Sequence, residues 1–255
     1  MTVIIQRWLS MRMRRAATRY AEHGWPVIPG AVLIGDRYLC GPVCPTVGCH
    51  PAIDQWEQRA SHDPTEVGQW WTDQPHSVLL TTGYAFDVIE IPGRIGALAM
   101  ADAPPGPVAT TPTGTWMFLV SPGQTLRPEL ASRLDVVLHG RGSWIPVPPT
   151  RTPGDQVLWR LTPDETRWRV PDSYAVQRAL IGHALTVGSA TVTQRHPEGL
   201  PRSREPGDQR WSSDQRWPWN QHWSPRQRWA HRIGLSTRQR WSSRNVDTPV
   251  ARSIL

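Results

Sequence analysis

The sequence predicts an α/β (α+β) domain over residues 11–187, preceded by a short extension, residues 1–10, and followed by a disordered tail, residues 188–255. Three observations carry this expectation. Short runs rich in β-branched and aromatic residues alternate with helical periods as far as about residue 185. Pro and Gly, 26 and 20 of the 255 residues, fall between these runs as turn signals. After Gly188 both periods stop and a six-residue repeat begins.

Ser10 reads as the cap of a helix to about His23, with Met13, Ala16, Ala17 and Tyr20 on one side and Arg12, Arg15, Arg19 and Glu22 on the other. Gly24 ends it, and residues 25–30 (WPVIPG) form a short strand closed by a turn. Asp63, Pro64 and Glu66 make a capping box with Pro at the first helical position, ahead of Val67, Trp70 and Trp71. Strands follow at 77–81 and 85–91. Residues 93–102 are helical, with Ile95, Leu98 and Ala99 at core spacing. Further strands are expected at 108–110, 115–120, 136–139, 144–147 and 157–160, and a helix at 173–185 completes the domain.

Charge separates the two parts. Residues 201–255 hold 11 Arg against Glu205, Asp208, Asp214 and Asp247, which accounts for the whole formal charge of +7. The other 200 residues are neutral, and the chain has no Lys. A duplex-gripping surface needs concentrated positive charge, and the domain has no net excess to supply it. No window approaches 18 uncharged apolar residues, so no membrane helix is expected. Arginines follow the first apolar run rather than precede it, the wrong order for a signal peptide, so a cytoplasmic location is expected.

The tail repeats in sixes from Gln209, and five of six units begin Gln-(Arg/His)-Trp. Six residues match no helical period, and Pro218 and Pro225 would interrupt a ladder. Arg and Trp together suit single-stranded nucleic acid, through phosphates and base stacking. The alternative is a tandem expansion in the gene with no function in the protein.

Three ordered segments carry the chemistry: LTTGYAFDVIEIPG at 80–93, GPVATTPTGTWMFLV at 106–120, and LDVVLHGRGSWIPVPPT at 134–150. Together with the opening helix and its GWPV strand they resemble the bifunctional DNA primase/polymerase domain of the archaeo-eukaryotic primase superfamily. The resemblance covers about residues 14–180. It implies a primase/polymerase-like core with an RNA-recognition-like mixed sheet. In that family two acids with one residue between them and a later acid bind Mg²⁺ or Mn²⁺, and a His meets the nucleotide phosphates. The matching positions here are Glu90, Pro92 and, counted back from Pro148, Val137; the His position reads as Trp116.

A two-metal clamp needs carboxylates on one face of a strand. Asp87 and Glu90 are three apart, so alternation sends them to opposite faces. Two readings follow. Either the domain is non-catalytic or weakly catalytic and binds nucleotide or nucleic acid, in a replication or mobile-element setting, or it is an active enzyme with relocated ligands, Asp87, Glu90 and Asp135. In the first, Glu90 is a sheet-edge carboxylate in solvent or paired with Arg94. Trp116 either stacks on a base or fills the core. His139, at the place of a family Arg, and Arg141 are the candidate phosphate contacts, with a plain turn as the alternative. Cys40, Cys44, Cys49 and His50, in the loop CGPVCPTVGCHP, offer thiolate and imidazole ligands for a structural Zn²⁺; the alternative is a reduced loop without metal. The expected partners are a nucleotide or single-stranded nucleic acid held by the tail, and no membrane. Nothing in the sequence specifies an oligomeric state.

Overall fold

The computed structural model describes residues 2–40 and 48–190. Cys44 and the tail repeat lie outside them. In chain order the elements are α1 (Thr2–Glu22), β1 (Val27–Gly30), β2 (Val32–Ile34), β3 (Arg37–Leu39), α2 (Trp56–Arg59), α3 (Pro64–Trp70), β4 (Ser77–Thr81), β5 (Asp87–Pro92) and α4 (Gly93–Ala99). There follow β6 (Val108–Thr110), β7 (Thr115–Val120), α5 (Pro128–Ala131), β8 (Val137–His139), β9 (Trp144–Pro146), β10 (Arg151–Thr152), β11 (Asp155–Gln156), β12 (Leu158–Leu161) and α6 (Ser173–Ala190).

Two sheets organise the domain. One has the order β12-β6-β7-β5-β8 and the other β1-β4-β9, and every pairing in both is antiparallel. Within the larger sheet, β5-α4-β6-β7-α5-β8 is a β-α-β-β-α-β unit in which β5 sits between β7 and β8, the RNA-recognition-like arrangement expected from the sequence. Alternation along β5 feeds two cores. Val88 joins Met117, Leu119 and Ala109 in packing toward α1, α3 and the smaller sheet. Ile89 and Ile91 join Phe118, Val120, Ile95 and Leu180 in packing toward α4 and α6. The larger sheet is therefore a middle layer, buried on both faces.

Several elements differ from the sequence reading: α4 ends at Ala99 rather than at residue 102, and β2, β3, β10, β11, α2 and α5 were not expected. The first helix starts at Thr2, so Ser10 is not its cap but an interior residue on the buried side, 5% exposed. A mid-helix Ser costs only a few tenths of a kcal/mol, too little to stop a helix. Asp63 does cap α3, its carboxylate accepting from Thr65 N–H at 2.8 Å, with Pro64 at the first position. The reciprocal bond expected from Glu66 is replaced: Asp63 N–H donates to Ser61 Oγ at 3.1 Å. The last helix runs on to Ala190. No helix among the described residues is long and apolar enough to cross a membrane.

A candidate active site on the inner face of the sheet

Register decides which side chains can act together. Directly opposed residues of an antiparallel pair share a face. Glu90 pairs with Met117 on β7 and Val137 on β8, and Val88 pairs with His139. Glu90, Met117, Val137 and His139 thus share the face that looks toward α1 and the smaller sheet. The structure brings Glu90 and His139 together: His139 Nε2 and Glu90 Oε2 are 2.9 Å apart, and the two residues are 1% and 4% exposed. His139 Nδ1 lies 3.1 Å from Ser143 Oγ, which orients the ring from its other side. Because β5 is interior to the sheet, Glu90 is no edge carboxylate in solvent, and its charge partner is His139 rather than Arg94.

The other acids are elsewhere. Asp87 sits on the opposite face, as alternation requires, where it pairs across from Val120. One of its oxygens accepts from Gly123 N–H at 2.8 Å; the other, Oδ1, is buried without a hydrogen-bond partner among the described residues. Burial raises the Asp87 carboxyl above its ordinary value, and the Gly123 N–H offsets part of that rise. Asp135 precedes β8 and is held by Arg133, with Nε to Oδ1 at 2.9 Å and an Nη to Oδ2 at 2.8 Å, while Arg94 stands 3.8 Å away. The three relocated ligands of the active-enzyme reading do not meet around one point: Asp87 and Glu90 are on different faces.

Trp116 is also off the site. It pairs with Ile91 and faces α4, half-buried, where Gly93 and Gly96 allow close approach. A Cβ at Gly96 would stand 2.7 Å from Trp116 Cβ. Its exposed side carries Arg160, 5.8 Å from the ring centroid. The β7 residue that shares the face of Glu90 is Met117, fully buried; Trp116 lies on the other face, where it packs against the core around α4.

The fit to a pair of divalent ions can be judged from the donors. On this face Met117 and Val137 stand beside Glu90 and offer no oxygen, and Pro92, the N-cap residue of α4, has none in its side chain. One oxygen of Glu90 is already engaged by His139. Mg²⁺ takes carboxylates, waters and phosphate oxygens in an octahedral shell, and a single engaged carboxylate does not fit that requirement. Among the described residues no group of three or more His, Cys, Asp or Glu side chains is placed to hold a metal ion.

Beside this face the loop at 140–143 lies against residues 82–86. Thr82 Oγ1 donates to Gly140 O at 2.7 Å, and Thr82 N–H donates to Ser143 O at 3.0 Å. Gly83 has φ +94°, and a Cβ there would stand 2.3 Å from Arg141 Cα, so only Gly permits the contact. The result is an exposed Arg141 guanidinium 4.8 Å from the ring centroid of exposed Tyr84. Tyr84 and Ser143 were invisible as site residues in the sequence; the Gly-Arg-Gly loop is the only signal pointing to them.

In the cysteine loop, Cys49 is buried among Ile28, Ala31, Tyr38 and Leu79, and burial pushes its thiol up to about 12, against a lowering contact with Ser77. His50 Nδ1 lies 2.7 Å from Gly48 O, and burial lowers its imidazole below the ordinary value. Cys40 is exposed. The expected zinc site turns on Cys44, outside the described residues.

No similar protein was found among curated proteins. A family model, bifunctional DNA primase/polymerase, N-terminal, matches residues 17–173, more than half of the chain. The matched span contains every strand and both faces of the sheet described above. The chain belongs to the bifunctional DNA primase/polymerase N-terminal family.

Proposed function

We propose that this protein is a primase/polymerase-like module that does not transfer nucleotides and that binds a nucleotide or nucleic acid in a replication or mobile-element setting. The observation that carries the reading is the buried Glu90–His139 pair. Nucleotidyl transfer depends on metal ions that position and neutralise phosphates. Here the single carboxylate on the family's face is matched by an imidazole, with Met117 and Val137 as its neighbours. The alternative, an active enzyme with relocated ligands, requires Asp87 beside Glu90, and the two face opposite ways.

Retained binding would use the exposed Arg141 and Tyr84. A guanidinium suits a phosphate, and a phenol ring offers a stacking surface to a base. Primer extension on a DNA template with Mg²⁺ or Mn²⁺ tests the first half, comparing wild type with Glu90→Ala. No extension by either protein is expected; extension that Glu90→Ala abolishes overturns the reading. Binding of labelled nucleoside triphosphate or single-stranded DNA tests the second half, with Arg141→Ala and Tyr84→Ala expected to weaken whatever the domain binds.

A further inference from the structure

We propose that the first three turns of α1 are a docking helix for an acidic amphipathic helix of a partner protein. These turns lie outside the family match, which begins at residue 17. They also overhang the domain: residues 4–8 are exposed all round, and from residue 4 onward Ser10 is the first buried side chain. A helical turn in water is expected to be polar, yet Ile4, Trp8 and Met11 are 76%, 54% and 59% exposed. Their spacing of four and then three residues is one d-a-d seam of a heptad, the narrow stripe by which helices pair. Ile5, 51% exposed, widens one edge of the seam.

Charge selects the occupant. Arg7 flanks the seam on one side and Arg12 on the other, with the Arg12 guanidinium 5.8 Å from the Trp8 ring centroid. Arg15 continues the seam one turn later. No described carboxylate pairs with Arg7, Arg12 or Arg15, and α1 carries five Arg against Glu22 alone. A second copy of this helix would set these arginines against themselves. The tail, with 11 Arg against four acids, is repelled for the same reason. Nucleic acid would satisfy the arginines but cover neither Ile4 nor Met11. An apolar stripe edged by Glu or Asp satisfies both sets, at positions where flanking charge sets partner choice in paired helices.

The test uses the full-length protein and two labelled synthetic helices of three heptads. Both carry Leu at a and d; one has Glu and the other Lys at e and g. The Glu peptide should bind at least about tenfold more tightly than the Lys peptide, a factor of one decade in Kd. Ile4→Ala and Trp8→Ala should each weaken that binding without moving the thermal midpoint, since both side chains are exposed. The pair Arg7→Glu with Arg12→Glu should reverse the preference toward the Lys peptide. Equal binding of the two peptides, binding of neither, or binding that survives Ile4→Ala and Trp8→Ala overturns the proposal; the last would place the acidic peptide on the tail. Trp8-dependent binding to phosphatidylglycerol vesicles with no peptide preference would make the face a membrane contact and also overturn it. So would a Trp8-dependent dimer in sedimentation.

Discussion

At the scale of the residue, Glu90 poses a problem of charge. Glu90 is deeply buried, and its Oε2 lies 2.9 Å from His139 Nε2. Removing one partner of a buried hydrogen bond costs about 1–3 kcal/mol, more where a charged group is left behind, whereas replacing both by apolar side chains of the same shape is close to neutral. His139→Ala should therefore destabilise the domain by about that amount in urea unfolding. Glu90→Met combined with His139→Leu, set beside Met117 and Val137, should recover most of the loss. A double variant as unstable as the single one would mean that the pair is not what holds this part of the sheet. Asp87 gives the opposite sign. Its raised carboxyl means that the folded chain holds the proton better than the unfolded chain does. That contribution is complete below the ordinary value of about 3.9 and is lost as pH rises through the raised one. Asp87→Asn keeps an acceptor for Gly123 N–H and cannot ionise. Its thermal midpoint should gain on wild type as pH rises from about 4 and then level off. A constant difference at every pH would exclude Asp87 as the source. How far these residues were legible depends on periodicity. A strand alternates with period two, so the separation of Asp87 from Glu90 follows from counting. Val137 follows likewise from its distance to Pro148. Trp116 shows the limit: its packing against α4, rather than a place beside Glu90, depends on the register of β7 against β5. The Glu90–His139 bond joins residues 49 apart and needs β5 and β8 to be neighbours, which no local pattern encodes.

At the scale of the element, α4 rests on β7 through glycine. A Cβ at Gly96 would approach Trp116 Cβ to 2.7 Å and Cγ to 2.9 Å, closer than packed side chains tolerate. Gly96→Ala gains helix propensity of about 1 kcal/mol but must push α4 off the indole. Overpacking of this kind costs about 1–3 kcal/mol, so the net effect should be destabilising. Trp116→Phe in the same background should relieve it, if the tryptophan is the obstacle; an additive double variant in thermal unfolding would place the clash elsewhere. The longer strands and helices were readable because five or more residues establish a period. Of the pieces of two to four residues, β1, β6, β8, β9 and β12 were readable from their β-branched and aromatic residues, while β2, β3, β10, β11, α2 and α5 were not and owe their form to pairing and packing. Thr82 and Gly140, which position the Arg141 loop, meet across 58 residues through the Thr82 hydroxyl and the Gly140 carbonyl, a contact that no local pattern announces.

At the scale of the molecule, the domain and the tail differ sharply in charge. The domain is neutral, and the tail carries the +7 with six of the 15 tryptophans. Truncation after Gly188 should leave the unfolding of the domain changed by less than about 1 kcal/mol, the typical size of a single-site effect. It should also remove most affinity for single-stranded DNA, and the affinity of the full chain should fall steeply with salt. A truncated chain that binds as tightly as the full one would move the nucleic-acid surface to the sheet and its Arg141 loop. The fold was readable at this scale because the three motif segments occur in family order; the disordered tail expected from the repeat lies outside the described residues.

The register of β5 with β7 and β8 also bears on whether this sheet could seat a carboxylate cluster. The backbone places positions 90 and 137 directly across from one another, so such a cluster would need new side chains and no new fold. Pro92 is the N-cap of α4 and holds extended backbone angles there, a position at which Asp is among the favoured residues. Val137 already stands directly across from Glu90. A chain with Pro92→Asp and Val137→Asp would gather three like charges and should melt earlier than wild type in EDTA. Adding Mn²⁺ should raise its midpoint and leave that of the natural chain where it was. Such an ion response would show that the fold itself can seat the ions, a vessel whose contents alone decide what it holds.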